Sequence, residues 1–168
     1  AAGAIIVIVV FRNEIRSIFQ AMNVKTILWG TPAKPTATSV SVISESLFEM
    51  ASKRIGALLV IAGRESLDEV IQNGIEWMGL LSKEMLLSIF WKENPVHDGA
   101  AIVDGNRVTK VGVILPLSRR DDLPSYYGTR HRAAVGMAEQ SDALVILVSE
   151  ERGDVLTVKR NHLEVVRN

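Results

Sequence analysis

The stretch "AAIVDGNRVTKVGVIL", residues 100–115, decides the fold. Two runs with the residue preferences of β-strands flank Asp104-Gly105, and an Asp-Gly pair between such runs is a strong signal for a β-hairpin. The second run alternates between polar and apolar residues at first and becomes continuously apolar toward its end. We therefore predict an antiparallel strand pair with its tight turn at Asp104-Gly105.

Continuous apolar runs lie on both sides of this hairpin in the sequence. "ALLVIA" (57–62) and "ALVILVS" (143–149) have the length and composition of strands that are covered on both faces of a sheet. "DVLTVKR" (154–160) follows the turn "EERG" and is predicted to pair with the second run as a hairpin. Buried strands and hairpins in one chain favour a mixed sheet.

Several segments between the strands have helix signals. One helix is predicted to begin at Ser44, an N-cap residue type, and to stop at Gly56. Ser66 and Glu69 have the spacing of a capping box, and Ser82 is predicted to cap a further helix. The predicted fold class is α/β, with a mixed central β-sheet flanked by helices.

Composition limits the function classes. The 168 residues suit one domain, and a hydrophobic fraction of 48% provides a full core. Nineteen basic and nineteen acidic residues give a net charge of zero, which argues against a general nucleic-acid binder, so no nucleic-acid partner is expected. The chain has no cysteine, so disulfides and thiolate metal sites are excluded.

The N-terminal part differs in character from the rest. "AAGAIIVIVVF" (1–11) is apolar but shorter than the roughly 20 residues that span a bilayer. "RNEIRSIFQAMN" (12–23) has helical spacing, and "GTPAKPTATS" (30–39) is predicted to be a loop. We interpret residues 1–39 as a juxtamembrane or helical linker segment and residues 40–168 as the compact domain. A buried strand or helix at residues 1–11 is the alternative.

"NPVHDG" (94–99) precedes the first strand of the Asp-Gly hairpin. Functional side chains often gather at the mouths of strands in α/β folds, and His97 and Asp98 lie at such a position. Asp98, beside a Gly-Ala backbone, is suited to hold a divalent cation there. The alternative is an Asx-turn, in which the Asp98 carboxylate accepts from local backbone N–H groups.

"GTRHRAAVGMAEQ" (128–140) is a predicted helix whose first turn is cationic. Thr129 is the predicted N-cap, and Gly128 leaves room for a ligand. Cations at a helix N-terminus are unfavourable by about 0.3–1 kcal/mol each, so Arg130, His131 and Arg132 indicate a site for an anion such as a phosphate. The alternative is that they point into water or pair with acids such as those at 121–122.

Two further stretches complete a candidate site. In "SEERG" (149–153), Ser149 is suited to donate to a phosphate, and Glu150 or Glu151 to ligate a metal; a hairpin turn with solvated acids is the alternative. In "VILPLS" (113–118), Leu115 is suited to line an apolar slot for an aromatic base, and plain core is the alternative. Taken together, these residues suit a polyphosphate with Mg²⁺ or Mn²⁺.

The combination of "NPVHDGAAIV", "LPLS" and "GTRHRAAVGMAEQSDALVILVSEERG" resembles the diadenylate cyclase family. The two signature motifs of that family, Asp-Gly-Ala and Arg-His-Arg, stand here at 98–100 and 130–132. "VFRNEIRSIFQAM" is similar to the segment that precedes the cyclase domain in the membrane-bound type. For this type, the resemblance implies a missing N-terminal membrane part and a location at the cytoplasmic face of the bacterial membrane.

The resemblance implies a reaction in which two ATP molecules condense to cyclic di-AMP with release of two pyrophosphates. It implies Mn²⁺ or Mg²⁺ as cofactor, with Co²⁺ as a further candidate, and a homodimer whose two active sites face each other. A catalytically inactive module of the same fold that senses a nucleotide is the alternative.

The resemblance also assigns roles to residues. Asp98 is the expected catalytic residue and metal ligand, with His97 and Glu151 as further metal ligands. The expected ATP-binding residues are Gly99, Ala100, Leu115, Gly128, Thr129, Arg130, His131, Arg132, Ser149 and Glu150.

Overall fold

The structure, a computed structural model, describes residues 37–166 of the chain. These residues form three helices and seven strands. In chain order they are α1 (Ala37–Ser52), β1 (Ala57–Ile61), β2 (Ile75–Leu80), α2 (Lys83–Ile89), β3 (Ala100–Asp104), β4 (Arg107–Val113), α3 (Thr129–Glu139), β5 (Leu144–Val148), β6 (Val155–Lys159) and β7 (His162–Val166). Within this part of the chain, no helix has both the length and the apolar character needed to cross a membrane.

All seven strands form one sheet in the order β2-β4-β3-β1-β5-β6-β7. β1 lies at the centre, where Leu59 pairs with Ala101 of β3 on one side and with Ile146 of β5 on the other. The β1–β3 pair is parallel and the other five pairs are antiparallel. The predicted class, α/β with a mixed central sheet flanked by helices, is confirmed.

Each face of the sheet has its own hydrophobic core, because successive side chains of a strand point to opposite faces. Leu58 and Val60 of β1 belong to the core that includes Met137 of α3. Ala57 and Leu59 belong to the other core, to which α1 and α2 contribute. The continuous apolar run of β1 follows from this double coverage, as predicted from its composition.

Three local predictions are confirmed. β3 and β4 form an antiparallel hairpin, and Gly105 in its turn has a φ of 61°, a conformation that favours glycine. β5 and β6 pair antiparallel around the "EERG" turn. The hydroxyl of Ser82 accepts a hydrogen bond from the backbone N–H of Met85 at 3.1 Å and caps α2.

Two helix predictions are wrong. Ser44 lies inside α1 and not at its N-cap, because the helix begins earlier, at Ala37. The same helix ends at Ser52 and not at Gly56, and Arg54, with a φ of 52°, has the left-handed conformation after its end. The capping-box spacing at residues 66–69 leads only to a single turn, in which the N–H groups of residues 70 and 71 donate to the carbonyl of residue 67.

Two strands were not predicted. β2 is an edge strand that pairs with β4 alone, has a register shift between Glu76 and Gly79, and exposes Ile75, Trp77, Met78 and Leu80. β7 is the opposite edge and pairs with β6 alone. An edge strand is covered less fully than a central one, so its sequence has neither a continuous apolar run nor a strict alternation.

The prediction for residues 1–39 lies almost entirely outside the described residues. This includes the apolar run at 1–11, the helix at 12–23 and most of the predicted loop. Residues 37–39, which we assigned to the end of that loop, form the first residues of α1. The described residues from there to 166 contribute to a single sheet and its flanking helices.

Candidate active site

Five of the ten predicted ATP-binding residues, together with the predicted catalytic residue, line one cavity. It has a volume of about 440 Å³ and lies where β3 starts, β4 ends and α3 starts. The predicted residues in its wall are Asp98, Gly99, Ala100, Leu115, Thr129 and Arg130. Pro95, Val96, Ile114 and Leu117 add an apolar rim. The structure therefore brings both signature motifs to one place from distant parts of the sequence.

The turn before β3 positions Asp98. The side-chain oxygen of Asn94 accepts from the N–H of Val96 at 3.1 Å, and its carbonyl accepts from the N–H of His97 at 3.1 Å. Gly99 follows in a place where a Cβ atom would lie 2.4 Å from the backbone of Gly112. Only glycine permits this approach of the two strands, so the backbone itself fixes the point from which the Asp98 carboxylate extends.

The side chains of His97 and Asp98 lie side by side and are suited to ligate a cation. The Nδ1 atom of His97 lies 2.7 Å from the carbonyl oxygen of Asn94, which can only accept, so Nδ1 carries the proton. In the neutral ring Nε2 is then an acceptor, and it lies 3.1 Å from Oδ1 of Asp98. A shared cation or a protonated ring reconciles these two facing acceptors. Histidines that ligate metals usually donate their other N–H in this way.

The third predicted metal ligand does not join this pair. Within residues 37–166, no group of three or more His, Asp or Glu side chains forms a metal-binding cluster. The backbone carbonyl of Glu151 accepts a hydrogen bond from Arg54, in the turn that follows β5. The residues present therefore fit a cation held by one imidazole and one carboxylate, with further ligands supplied from outside this set.

Arg130 links the two signature motifs and the end of β5. Its Nη2 atom lies 3.6 Å from Oδ1 of Asp98, and its Nη1 atom lies 3.2 Å from Oε2 of Glu150. The Asp98 side chain is 84% exposed, whereas that of Arg130 is only 21% exposed. Asp98 is thus exposed in the cavity wall, with the Arg130 guanidinium beside its carboxylate. The contacts of this carboxylate are with His97 and Arg130, so they differ from those of the Asx-turn alternative.

The pairing that we considered for the cations at the start of α3 is different in the structure. Asp122 pairs with Arg120, through Nε to Oδ1 at 2.9 Å and Nη2 to Oδ2 at 2.6 Å. Arg132 donates to the backbone carbonyl of Arg120 at 3.2 Å and is not among the residues that line the cavity. Its predicted contact with a triphosphate stays a prediction.

The helix α3 begins one residue earlier than expected. Gly128 is the N-cap and makes no side-chain capping bond, so the assignment of Thr129 as N-cap is wrong. Thr129 is the first helical residue and lies in the cavity wall. A Cβ atom at Gly128 would meet nothing within 4 Å, which leaves open space beside the first N–H groups of the helix. Such N–H groups, without a side-chain cap, are suited to bind an anion.

His131 has an aromatic environment. Its ring stacks on Tyr127, with 4.5 Å between centroids and 26° between planes, and Tyr126 packs edge-on against Tyr127 at 5.2 Å. Burial lowers the pKa of His131, and the charge of Glu151 partly opposes this shift. The ring is therefore neutral at neutral pH and does not add a third full charge to this helix start. His131 is not among the residues that line the cavity, so its predicted contact with ATP stays a prediction.

The apolar slot is held by contacts to α3. Leu115 is only 6% exposed and lines the cavity, while Leu117 is 53% exposed at its rim. The N–H of Ser118 donates to the carbonyl of Arg132 at 2.9 Å, and its hydroxyl lies 3.0 Å from Oε1 of Glu139. Leu115 thus fits both interpretations, because its side chain is buried in the core and also lines the cavity.

The turn after β5 is a hairpin, as the alternative interpretation stated, and it also carries site residues. The N–H of Gly153 donates to the carbonyl of Ser149 at 2.8 Å, and the Ser149 hydroxyl accepts from the N–H of Arg152 at 3.3 Å. That bond does not use the hydroxyl hydrogen of Ser149, which remains a donor. Glu150 extends from this turn to Arg130.

Sequence reasoning missed three residues that contact predicted site residues or their neighbours and do not themselves line the cavity. Gly56 lies against the guanidinium of Arg130, Tyr127 stacks on His131, and Glu139 lies beside the Ser118 hydroxyl. None of them has a local signal, because each contact joins elements that are far apart in the sequence or side chains whose direction the fold sets.

Comparison with known proteins agrees with this arrangement. Residues 44–163 match the family model DAC, described as "DisA bacterial checkpoint controller nucleotide-binding". The chain belongs to the DAC family. Both signature motifs, the cavity between them and the turn after β5 lie within the matched residues, so the candidate site belongs to the DAC domain itself.

Similar proteins include named cyclases. The DAC chain is 35% identical over 164 residues to the cyclic di-AMP synthase CdaA of Bacillus subtilis, covering 96% of this chain and 60% of that protein. It is 40% identical over 119 residues to the diadenylate cyclase CdaS of Bacillus thuringiensis, covering 71% of this chain and 59% of that protein. The chain thus spans about 60% of the length of these relatives.

Solved structures show the same fold. A hypothetical membrane spanning protein from Bacillus cereus superimposes with a TM-score of 0.77 at 32% identity, covering 96% of this chain and 80% of that one. A double mutant of DacA from Staphylococcus aureus gives a TM-score of 0.74 at 37% identity, covering 78% and 87%.

Proposed function

We propose that this DAC domain is the catalytic domain of a diadenylate cyclase. In the proposed reaction, two ATP molecules condense into cyclic di-AMP and two pyrophosphates are released. The observation that carries the proposal is the position of Asp98 and Arg130, an exposed carboxylate and a guanidinium, on the wall of one cavity beside an uncapped helix N-terminus. The names of the relatives support the same activity.

The start of α3 is suited to hold the triphosphate. The N–H groups after Gly128 have no side-chain cap, and Arg130 adds a guanidinium. Charge-assisted bonds of this kind are shorter and stronger than neutral ones. Glu150, in the turn after β5, orients the guanidinium. Ser149 of the same turn keeps its hydroxyl hydrogen as a donor suited to a phosphate oxygen. Leu115 and the apolar rim would contact the adenine.

Asp98 and His97 are the residues that would hold a divalent cation, Mn²⁺ or Mg²⁺, with Co²⁺ also suited to the imidazole nitrogen. When bound, such a cation supplies charge to the phosphate oxygens and lowers the pKa of a coordinated hydroxyl. Asp98 would orient the ribose 3′-hydroxyl toward the α-phosphorus of the other ATP. The bond from that phosphorus to the pyrophosphate oxygen breaks as the new ester bond forms, and the hydroxyl proton leaves to solvent.

A face-to-face homodimer is part of the proposal. Each chain would contribute the cavity described above, and the product joins two nucleotides, so two such cavities must meet for both ester bonds to form. Exposed apolar side chains at the cavity rim, Ile75, Ile114 and Leu117, support an approach of a second copy at this opening.

We also propose attachment to the cytoplasmic face of the bacterial membrane through a part of the protein outside this chain. The similarity to a protein described as membrane spanning supports this location. Fractionation of the whole protein in cells tests it, since recovery from the soluble fraction alone would contradict it.

The direct test is incubation of the chain with ATP and each of Mn²⁺, Mg²⁺ and Co²⁺, over a range of protein concentrations, with detection by mass spectrometry. We expect cyclic di-AMP and two pyrophosphates for each product molecule. ATP binding without product under all conditions would favour the nucleotide-sensing alternative. Absence of both would remove the proposal.

A further inference from the structure

We propose that Gly56 is a positioning residue for the reaction, because it reserves the space in which the Arg130 guanidinium lies. The proposal rests on the proposed function, in which Arg130 holds the triphosphate. Gly56 lies outside the two signature motifs and directly precedes β1, the central strand of the sheet. It acts on the site through Arg130 and not by contact with the nucleotide.

The geometry leaves no room for a side chain at this position. A Cβ atom on Gly56 would lie 2.6 Å from Nη1 of Arg130, 3.2 Å from Cζ of the same residue and 3.1 Å from Oε2 of Glu150. Gly56 itself is buried. The guanidinium thus lies against the backbone before β1, with Asp98 and Glu150 as its two carboxylate partners.

The fold does not require glycine at this position for any other reason. Gly56 is not among the glycines with positive φ, so an alanine can adopt its backbone conformation. The three nearest atoms that its Cβ would meet are the ends of two flexible side chains, whereas at Gly99 or Gly136 they are backbone atoms. Replacement should therefore move Arg130 and Glu150 while leaving the sheet in place.

Displacement of Arg130 has a defined consequence for the site. Its two ion pairs, at 3.6 Å to Asp98 and 3.2 Å to Glu150, depend on the present position of the guanidinium. A shift of about 1 Å in a positioning group can cost roughly a hundredfold in rate. The alanine variant should therefore bind ATP more weakly and turn it over more slowly.

The experiment compares Gly56→Ala with Gly79→Ala as a matched control. A Cβ atom on Gly79 would also meet flexible side-chain atoms, with Cε of Met85 at 2.5 Å. Gly79 does not line the cavity and lies near the end of β2 opposite to Ile75, which does. We expect kcat/KM to fall about ten- to a hundredfold in Gly56→Ala and to stay within about twofold in Gly79→Ala. Thermal midpoints of both variants should lie within a few degrees of the wild type.

A double-mutant cycle separates positioning from a general structural effect. If Gly56 acts through Arg130, then adding Gly56→Ala to Arg130→Ala should change kcat/KM by less than about twofold, because the group it positions is gone. Equal losses in both backgrounds would overturn the proposal, as would full activity of Gly56→Ala.

A measurement without nucleotide keeps this proposal distinct from the proposed function. The Nη signals of Arg130 in ¹⁵N NMR spectra, assigned with Arg130→Lys, report the held guanidinium in the free protein. We expect them to shift and broaden in Gly56→Ala but not in Gly79→Ala, even if the wild type makes no cyclic dinucleotide. Unchanged signals would contradict the positioning role whatever the activity.

Discussion

Arg130 lies in the first turn of α3, where the helix dipole disfavours a cation by about 0.3–1 kcal/mol. The structure offsets this cost with two carboxylates, those of Asp98 and Glu150. From the sequence, cations at the start of this helix are electrostatically unfavourable when no ligand is bound. For Arg130, the two neighbouring carboxylates offset this unfavourable interaction. A triphosphate would instead compete with the two carboxylates for the same guanidinium.

Asp98 is the residue whose replacement should matter most for activity. Asp98→Asn keeps the size of the side chain but removes the charge that would hold the cation, so turnover should fall by about 10²-fold or more. Asp104→Asn is the control. Asp98 precedes β3, whereas Asp104 is the last residue of that strand, in an Asp-Gly turn that also accepts asparagine. Product formation by both variants, with thermal midpoints as a check on folding, measures the difference. Equal activities would exclude the proposed role of Asp98.

His131 should make stability depend on pH. Because burial lowers its pKa below the ordinary value of 6.5, the folded state favours the neutral ring. The unfolded chain then binds more protons between the folded pKa and about 6.5, so the free energy of unfolding should decrease as the pH falls through this window. Urea unfolding at several pH values between 5 and 8 measures this slope. His131→Phe, which keeps a ring against Tyr127, should flatten it, and an unchanged slope would contradict the assignment.

At the scale of elements, α3 is unusual because six consecutive residues, 133–138, are buried. Helices with apolar residues all round are buried on all sides, and α3 packs on the sheet while the loop from 116 to 118 crosses it. Small residues make this crossing feasible. A Cβ atom on Gly136 would lie 2.1 Å from the carbonyl oxygen of Pro116 and 2.6 Å from the nitrogen of Ser118.

Gly136→Ala should therefore destabilise the domain, although glycine to alanine in an open helix stabilises by about 1 kcal/mol. The new methyl group meets backbone and not a movable side chain, and overpacking of this kind costs about 1–3 kcal/mol. We expect the thermal midpoint to fall by several degrees, with weaker ATP binding because the loop carries the wall of the apolar slot. Calorimetry decides the sign, and a higher midpoint would show that the loop moves without cost.

The strands that sequence reasoning found are the covered ones. β1 and β5 are continuous apolar runs because helices lie on both faces of the sheet centre. The β3–β4 hairpin could be predicted because Asp104-Gly105 is a typical turn sequence. The edge strands β2 and β7 have no such signal. The cap at Ser44 was misplaced because serine is common inside helices too; the Ser46 hydroxyl donates to the carbonyl of Val42 within α1.

The sequence identified part of the candidate site but none of its side-chain contacts. Motif residues such as Asp98 and Arg130 were named from the sequence, and the structure places them on one cavity wall. That Glu150 holds Arg130, that Arg132 turns to the carbonyl of Arg120, and that Gly56 provides space depend on the tertiary fold. Local patterns carry no information about such side-chain directions.

At the scale of the whole molecule, the proposed reaction needs two cavities. If activity requires a symmetric dimer, the rate per chain should rise with protein concentration and level off when the dimer saturates. Activity measured over a hundredfold concentration range, with sedimentation of the same samples, tests this. A constant rate per chain in samples that sediment as monomers would exclude the dimeric active site.

The central position of β1 also has a consequence for folding during synthesis. Among the strands of residues 37–166, β1 is synthesised first, yet its neighbours β3 and β5 follow much later in the chain. Pairings between distant segments form slowly, because a long loop must close, at a cost in chain entropy, before the strands make stabilising contacts. Until residues 144–148 have left the ribosome, one side of β1 is an unpaired apolar edge, and such edges invite association between nascent chains.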